Sequence, residues 1–235
     1  MLRGTQIALA VVSLLVGSLL AVACDAPRDP EETLTHVRQA GVLNVGASED
    51  PPFLVRRGDE ATGLEAALIR GFAAQLGAHV HWVWGAQETQ FHALEQYQLD
   101  LVAGAVSAKT LWKKNVAITR PYLETTSIVA RRRDLAPPGD LKDVEVAIED
   151  GDPIGAEIEK EKGNVKRMHP LDASQRVVAG NRTRLLQLGY VFVKELKSEK
   201  RSLAAPPGEN AFLQALEVYL SQHHDAFARA AGEKP

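Results

Sequence analysis

The chain has 235 residues and a formal net charge of −3, and 45% of its residues are hydrophobic and 24% charged. This balance is typical of a globular protein with one or two domains. No basic face with interleaved aromatic residues is visible, so the composition argues against a nucleic-acid-binding protein.

The N-terminus has the pattern of an export signal. A positively charged start precedes the apolar run "IALAVVSLLVGSLLAVA" at residues 7–23, and Cys24, the single cysteine of the chain, follows it. The end of the run, "AVAC", resembles a bacterial lipobox, in which the cysteine receives a diacylglycerol after cleavage. A secreted protein and an uncleaved membrane-spanning anchor are the alternatives, since the run is long enough to cross a bilayer. We predict a signal peptide at residues 1–23 and lipid attachment at Cys24.

Helix and strand patterns alternate after a polar, proline-containing tether at residues 24–32. Apolar residues recur every four positions in Leu64, Leu68, Phe72 and Leu76, which predicts a helix. Apolar runs predict strands at three places, residues 42–47, 79–85 and 99–106. Helices that regularly separate apolar strands are typical of a largely parallel sheet in an α/β domain.

A second series of strands and helices begins after a β-branched strand at residues 124–133, which is long enough to pass from one domain to another. Further strands are predicted at residues 144–151 and around "VKRMH" and "RVVAG". Proline near the start and glycine at the end predict a helix at residues 153–163. The chain closes with a helix after Asn210 whose apolar side carries Phe212, Leu216, Tyr219, Leu220 and Phe227.

Motifs for catalysis or metal binding are missing from the sequence, which contains no nucleophile elbow, phosphate loop or zinc-spaced cluster. His79 and His81 lie two residues apart on a predicted strand, where a solvated strand face explains them. Glu49 and Asp50 are adjacent acids that could serve acid–base chemistry. We predict that the protein is not an enzyme and uses no cofactor and no metal.

Four segments of the chain form an ordered set of motifs. They read "VLNVGASEDPPFLV", "GLEAALIRGFAAQLGAHVHWVWG", "LDLVAGAVSAKTLWKKNVAITRPYLETTSIVARR" and "DLKDVEVAIEDGDP". In this order they resemble the bacterial extracellular solute-binding proteins of family 3, which are periplasmic or lipid-anchored receptors of ABC importers for polar amino acids and related solutes. The resemblance implies a type II periplasmic-binding-protein fold, in which two α/β lobes with mostly parallel sheets are joined by two hinge strands and hold the ligand between them.

The resemblance also implies how the chain is divided. Lobe 1 is expected at residues 33–124 and 206–235, lobe 2 at residues 133–200, and the hinge strands at residues 125–132 and 201–205. Compared with the family, lobe 2 lacks a helix–strand segment before "RVVAGN", so we predict a shortened second lobe.

The turn after "DLVAG" is where the family recognises the α-carboxylate of an amino acid. The family's hydroxyl is present as Ser107, but Trp112 stands at the position of an arginine that would hold the carboxylate with two hydrogen bonds. Neighbouring lysines do not reproduce the planar guanidinium. Trp112 could stack on a ring or hold a cation, or it could pack in the core under the turn. Ordinary amino-acid recognition is therefore not expected.

Other ligand contacts in lobe 1 follow from the same resemblance. Phe53 stands at the position of an aromatic wall against the ligand, with a core position as the alternative. Asp50 is either a ligand contact or a residue that shapes the turn before two prolines. Gly104 and Ala105 would leave backbone groups free beside the ligand.

Two predicted ligand contacts belong to lobe 2. Asp152 stands where the family presents a hydroxyl and helix N-terminal amides, and an aspartate there would cap the helix and repel an anion. Asn181 is the nearest candidate for an aspartate that holds the ligand ammonium in the family. Trp112 in place of the arginine and Asp152 in place of the hydroxyl favour a neutral or cationic ligand, and an aromatic one fits as well.

The predicted function is that of a receptor of an ABC importer, in the periplasm or at the cell surface, which closes its lobes around a small polar or aromatic solute. The expected partners are that solute, a permease in the inner membrane and, through the lipid on Cys24, the membrane itself, with the protein acting as a monomer and without nucleic acid. A non-transporting sensor or partner-binding lipoprotein is the main alternative. A dehydratase-like enzyme on the same fold is the other.

Overall fold

The computed structural model describes residue 29, residues 31–150 and residues 152–232. The predicted signal peptide, Cys24 and most of the predicted tether lie outside these residues. Within the described part of the chain, no helix is long and apolar enough to cross a membrane.

The elements in chain order are α1 (Thr33–Ala40), β1 (Val42–Ala47), β2 (Val55–Arg57), β3 (Glu60–Thr62), α2 (Leu64–Gln75), β4 (His79–Trp84), α3 (Gln87–Glu95), β5 (Leu101–Ala103), a 3₁₀ turn (Leu111–Lys114), β6 (Ala117–Ile118), β7 (Leu123–Arg131), β8 (Glu145–Glu149), α4 (Gly155–Lys160), β9 (Asn164–Met168), β10 (Val177–Asn181), α5 (Arg182–Gln187), β11 (Val191–Arg201), β12 (Ala204–Ala205) and α6 (Asn210–Ala230).

One half of the molecule, which we call lobe 1, is built on a five-stranded sheet with the order β4–β1–β5–β12–β6. Strand β1 runs parallel to β4 and β5, as the alternation of helices and strands predicts. Strand β12 runs antiparallel to β5 and β6, so the sheet is mixed rather than parallel throughout. The short hairpin of β2 and β3 stands beside this sheet.

The core of lobe 1 confirms the two helices predicted from apolar periodicity. Phe72 of α2 packs edge-on against Phe212 of α6, with ring centroids 5.8 Å apart, and against Tyr219 of the same helix at 5.5 Å. The other predicted α6 residues, Leu216, Leu220 and Phe227, are buried as well. The last helix of the chain therefore returns to complete the lobe that the first helices began.

The other half, lobe 2, is built on a five-stranded sheet with the order β11–β7–β10–β8–β9. Strands β10, β8 and β9 are parallel, whereas β7 runs antiparallel to both of its neighbours. The structure confirms the predicted α/β fold and shows that both of its sheets are mixed. The helix predicted at residues 153–163 is shorter in the structure and spans Gly155–Lys160.

Two long strands connect the lobes. Strands β7 and β11 pair from Leu123 and Arg201 at the lobe 1 end to Arg131 and Val191 in lobe 2. The second hinge strand is expected at residues 201–205, but β11 already begins at Val191 and ends at Arg201. The strand is rich in charged residues and has little apolar periodicity, so its pairing with β7 defines it more than its own sequence does.

Candidate ligand-binding cleft

A cavity of about 530 Å³ lies between the two lobes. Lobe 1 lines it with residues 49–51 and 105–107, which follow the carboxyl ends of β1 and β5. Lobe 2 lines it with Glu149 at the end of β8, His169 just after β9 and Asn181 at the end of β10. This is the edge at which open α/β sheets bind ligands, because strand ends, loops and helix N-termini meet there.

Five of the eight residues predicted to contact the ligand line this cavity, namely Asp50, Ala105, Ser107, Asp152 and Asn181. Two of them also cap the chain that follows. The Asp152 carboxylate accepts a hydrogen bond from the Ile154 amide at 2.9 Å, and the Asn181 side-chain oxygen accepts one from the Arg184 amide at 3.1 Å. Ser107 accepts a hydrogen bond from the Lys109 amide through its hydroxyl oxygen.

Phe53 and Gly104 lie beneath the cavity rather than among its lining residues. Phe53 is 1% exposed and belongs to the core of lobe 1, which was its alternative interpretation. The backbone of Gly104 is already occupied, because its amide donates to Glu65 at 3.1 Å and its carbonyl accepts from Gln87 at 2.8 Å. Its φ of +93° and the Ser48 carbonyl, 1.9 Å from the position of a Cβ, leave room for glycine alone.

Trp112 is held on the far side of its turn, away from the lining of the cavity. Its indole stacks on Phe91, with ring centroids 5.3 Å apart and ring planes at 14°, and contacts His92 edge-on at 4.6 Å. It packs against a small core cluster of lobe 1 that also contains Leu94 and Val116. These contacts are those of the core-packing alternative.

Sequence reasoning missed Arg201 and Glu65, which form a buried ion pair below the cavity. The guanidinium donates from Nη2 to Glu65 Oε2 at 2.8 Å and to a carboxylate oxygen of Asp50. Its carbon lies 4.4 Å from the centre of the Phe53 ring, in cation–π geometry. Glu65 stands three, four and seven residues before Leu68, Ile69 and Phe72, so its place on the apolar face of α2 was a readable signal.

Both partners of the ion pair lie in the interior of the protein. Glu65 is 0% exposed and Arg201 is 7% exposed. Burial alone would lower the pKa of Arg201, but the negative charges of Glu65 and Asp50 hold it well above its usual value. Burial and the nearby charge of Glu65 in turn raise the pKa of the Tyr122 hydroxyl well above its ordinary value.

The cavity is acidic. Among the described residues, six carboxylates line it (Glu49, Asp50, Glu149, Asp150, Asp152 and Glu199) against three permanent cations (Lys197, Lys200 and Arg201). Burial raises the pKa of Asp152 against the hydrogen bond from Ile154, and the carboxylates of Glu149, Glu199 and Asp50 add to the rise. Because Asp50 and Glu65 already neutralise Arg201, the cavity offers an anion little.

Metal binding finds no support in the part of the chain that the structure describes. No group of three or more His, Cys, Asp or Glu side chains is arranged there to hold an ion. The site is a polar cavity between two lobes, with side chains that cap the segments after the strands and a buried ion pair beneath it. This arrangement suits the binding of a ligand.

The family model of the bacterial extracellular solute-binding proteins, family 3, matches residues 43–226. The chain belongs to this family. Solved structures of the family 3 fold agree with the architecture. An ancestral cationic amino acid solute-binding protein superposes with a TM-score of 0.74 at 20% identity, covering 86% of this chain and 98% of that one. The arginine-bound arginine-binding protein of T. maritima superposes with a TM-score of 0.60 at 22% identity, covering 80% and 99%.

Similar family 3 segments also occur in curated proteins of two kinds. The membrane-bound lytic murein transglycosylase F of Vibrio cholerae is 33% identical over 91 residues, which are 38% of this chain and 17% of that protein. A probable histidine-binding protein of Campylobacter jejuni is 24% identical over 117 residues, or 49% of this chain and 46% of that protein. The chain thus spans less than half of the length of these curated relatives.

Proposed function

We propose that this protein is the extracytoplasmic solute-binding receptor of an ABC importer. The observation that carries the proposal is the cavity of about 530 Å³ lined by both lobes, which falls in the size range of small-molecule sites. The lobes are joined through β7 and β11, so a ligand that contacts both lining surfaces favours their closure. The closed form is the signal that a permease in the inner membrane would recognise.

The proposed ligand is a small polar or aromatic solute that is neutral or positively charged. Three of the six lining carboxylates, Asp50, Glu149 and Glu199, are already paired with cations of the chain, so Glu49, Asp150 and Asp152 are the ones that support a cation. The neutralised Arg201 argues against a free carboxylate on the ligand. Asp50, Ala105, Ser107, Asp152 and Asn181 are the proposed contacts. The hydroxyl of Ser107 and the amide of Asn181 would provide hydrogen bonds that are independent of charge.

The proposed location is the outer face of a membrane, to which a lipid on Cys24 would attach the protein. We propose that the attached protein is a monomer. The "AVAC" sequence supports this attachment. A single acyl chain binds a membrane only reversibly, whereas two or more chains anchor a protein stably. Mass spectrometry of the protein produced in a bacterial host would reveal the diacylglycerol, and Cys24→Ser should abolish both the added mass and the membrane association.

The receptor is tested by thermal unfolding of the chain from residue 25 onward, with pairs of solutes that differ in one carboxylate. Suitable pairs are agmatine and arginine, cadaverine and lysine, and histamine and histidine. A ligand at 100 times its dissociation constant stabilises the folded state by about 2.7 kcal/mol, which shifts the midpoint of unfolding measurably. We expect the larger shift from the member of a pair that lacks the carboxylate, and a smaller radius of gyration in X-ray scattering when it binds.

The other outcomes are equally informative. A larger shift from the amino acid of each pair would contradict the proposed ligand class but leave the receptor in place. Unchanged midpoints and an unchanged radius of gyration with every solute would contradict the receptor and favour a lipoprotein that binds a protein partner. Chemical conversion of a bound solute would favour an enzyme.

A further inference from the structure

The strongest unassigned feature is the cluster around Arg201 at the floor of the cleft. Its walls are the carboxylates of Asp50 and Glu65 and the ring face of Phe53. We call these three side chains the cation box. The aromatic ring covers one face of a planar cation, and the two carboxylates accept hydrogen bonds at its edge. This arrangement suits a guanidinium group.

The walls of the box are held in place by groups of lobe 1 other than Arg201. The second oxygen of Glu65 accepts from the Gly104 amide at 3.1 Å, and the Glu65 amide donates to the Phe53 carbonyl at 2.9 Å. The Asp50 amide donates to the Leu54 carbonyl at 2.8 Å, which fixes the turn that carries the carboxylate. These hydrogen bonds fix the box through contacts that do not involve Arg201.

The cation in the box belongs to a part of the chain that is distant in sequence from the box residues. Arg201 is the last residue of β11 and lies 136 residues from Glu65 and 151 residues from Asp50 in sequence. Its guanidinium lies inside the box, and its backbone belongs to one of the two strands between the lobes. Two carboxylates surround one guanidinium, so the box with Arg201 still carries one negative charge more than positive.

We propose that Asp50, Glu65 and Phe53 form a binding site for a guanidinium cation, which the chain fills with its own Arg201. The box lies next to the ligand cavity, because Asp50 and Arg201 belong to the cavity lining too. A positively charged ligand in the cleft cannot enter the space between these three side chains while Arg201 occupies it. When the side chain of Arg201 is removed, the box is open to small guanidinium compounds.

The surface of lobe 1 provides a matched comparison. Arg70 also pairs with a carboxylate, Glu60 at 2.8 Å, and lies over an aromatic ring, Trp82 at 5.6 Å. Its side chain is 44% exposed, whereas that of Arg201 is 9% exposed. The two arginines make the same kinds of contact and differ in burial, so Arg70→Ala controls for the chemistry of the substitution.

The test is rescue of Arg201→Ala by methylguanidinium. The variant leaves two carboxylates buried without a cation, and we expect its midpoint of thermal unfolding to fall by roughly 10 °C. Millimolar methylguanidinium should restore at least half of this loss in a saturable manner. Tetramethylammonium at the same concentration has no N–H donors and should restore none of it. Any shift that methylguanidinium causes by binding in the cleft should be the same in the wild type and in Arg70→Ala, and smaller than the shift in Arg201→Ala.

A lowered midpoint of thermal unfolding without a response to methylguanidinium, or an equal response to tetramethylammonium, would overturn the proposal.

If Arg201→Ala does not fold, two other measurements take its place. Arg201→Lys should fold with a smaller loss and should not respond to methylguanidinium, because its ammonium fills the box. In the wild type, the guanidinium protons of Arg201 should exchange with water much more slowly than those of Arg70 by NMR, and equal exchange rates would overturn the proposal. The difference between Arg201→Ala and the wild type separates the box from the cleft, because a cation that binds only in the cleft stabilises both proteins alike.

Discussion

The two lobes use the same kinds of element but differ in how they are stabilised. Lobe 1 has an extensive core in which aromatic rings touch, such as Phe72 with Phe212 and Tyr122 with Phe227, and a smaller cluster around Phe91. Lobe 2 has two small clusters of mainly aliphatic residues, grouped around Ile128 and Val129 of strand β7. Larger buried apolar area contributes more to stability. Lobe 1 is therefore expected to be the more stable half.

Charges sharpen the contrast. Lobe 1 buries the cation box with Arg201 in its interior, whereas ion pairs of lobe 2 such as Lys166–Glu145 are exposed at the surface. Exposed pairs contribute little to stability, but breaking a buried pair is costly. A large, stable lobe 1 beside a lobe 2 with smaller apolar clusters suits the closure that we propose for the receptor.

The largest effect is expected from Glu65→Gln. The amide can still accept from Gly104 but offers no charge to Arg201, so we expect the free energy of unfolding to fall by about 4 kcal/mol. Urea denaturation measures the loss. Glu60→Gln, which removes an exposed partner of Arg70, should cost under about 1 kcal/mol. Equal losses in the two variants would contradict the expectation that breaking a buried ion pair costs more stability than breaking an exposed one.

Leu185→Ala should destabilise lobe 2 by about 3 kcal/mol, because it opens a cavity in one of the two small clusters. Hydrogen exchange should become faster in β8 and β10 and stay unchanged in β1 and β5. The adjacent Leu186 is 43% exposed, so Leu186→Ala is the matched control and should change little. Faster exchange throughout both lobes would show that they unfold as one unit and would break the comparison.

Trp112→Ala should cost about 2 kcal/mol, since the indole is partly buried against Phe91 and His92. We expect the affinity for any solute found by thermal unfolding to stay within about twofold, a change under 0.5 kcal/mol. Calorimetric titration checks the affinity, and Trp112→Phe should retain most of the stability. A tenfold loss of affinity in a folded Trp112→Ala protein would instead show that the indole contacts the ligand.

Asp152→Asn should give the smallest effect, and one that depends on pH. Burial raises the pKa of Asp152 in the folded protein, so its ionisation disfavours folding once the pH exceeds the ordinary value of about 4. Asparagine keeps an acceptor for the Ile154 amide without the charge. The variant should unfold about 2 °C higher than the wild type at pH 7, and this difference should vanish near pH 3.

Asp140→Asn is the matched control for this substitution. Asp140 also accepts a hydrogen bond from the amide two residues later, that of Lys142, but it is exposed. Its replacement should change the midpoint by the same small amount at both pH values. A pH dependence in Asp140→Asn as large as that in Asp152→Asn would contradict burial as the cause.

The amino-acid sequence alone determined the α/β class, the helices α2 and α6, the main strands of both lobes and the family. These features depend on local patterns, namely apolar periodicity, glycine and proline at element ends, and the order of motifs along the chain. Five of the eight predicted contacts also reached the cavity, because residues that follow parallel strands meet at one edge of the sheet.

Tertiary structure alone decided the rest. Strand β11 exists through its pairing with β7, and Arg201 meets Glu65 and Asp50 only through the tertiary fold, because they lie far apart in sequence. For Trp112 the sequence left two environments open, and the neighbouring rings of α3 decided between them. In each case the partners lie far apart in sequence or on another element, and the burial that gives the contact its energy appears only when the chain packs.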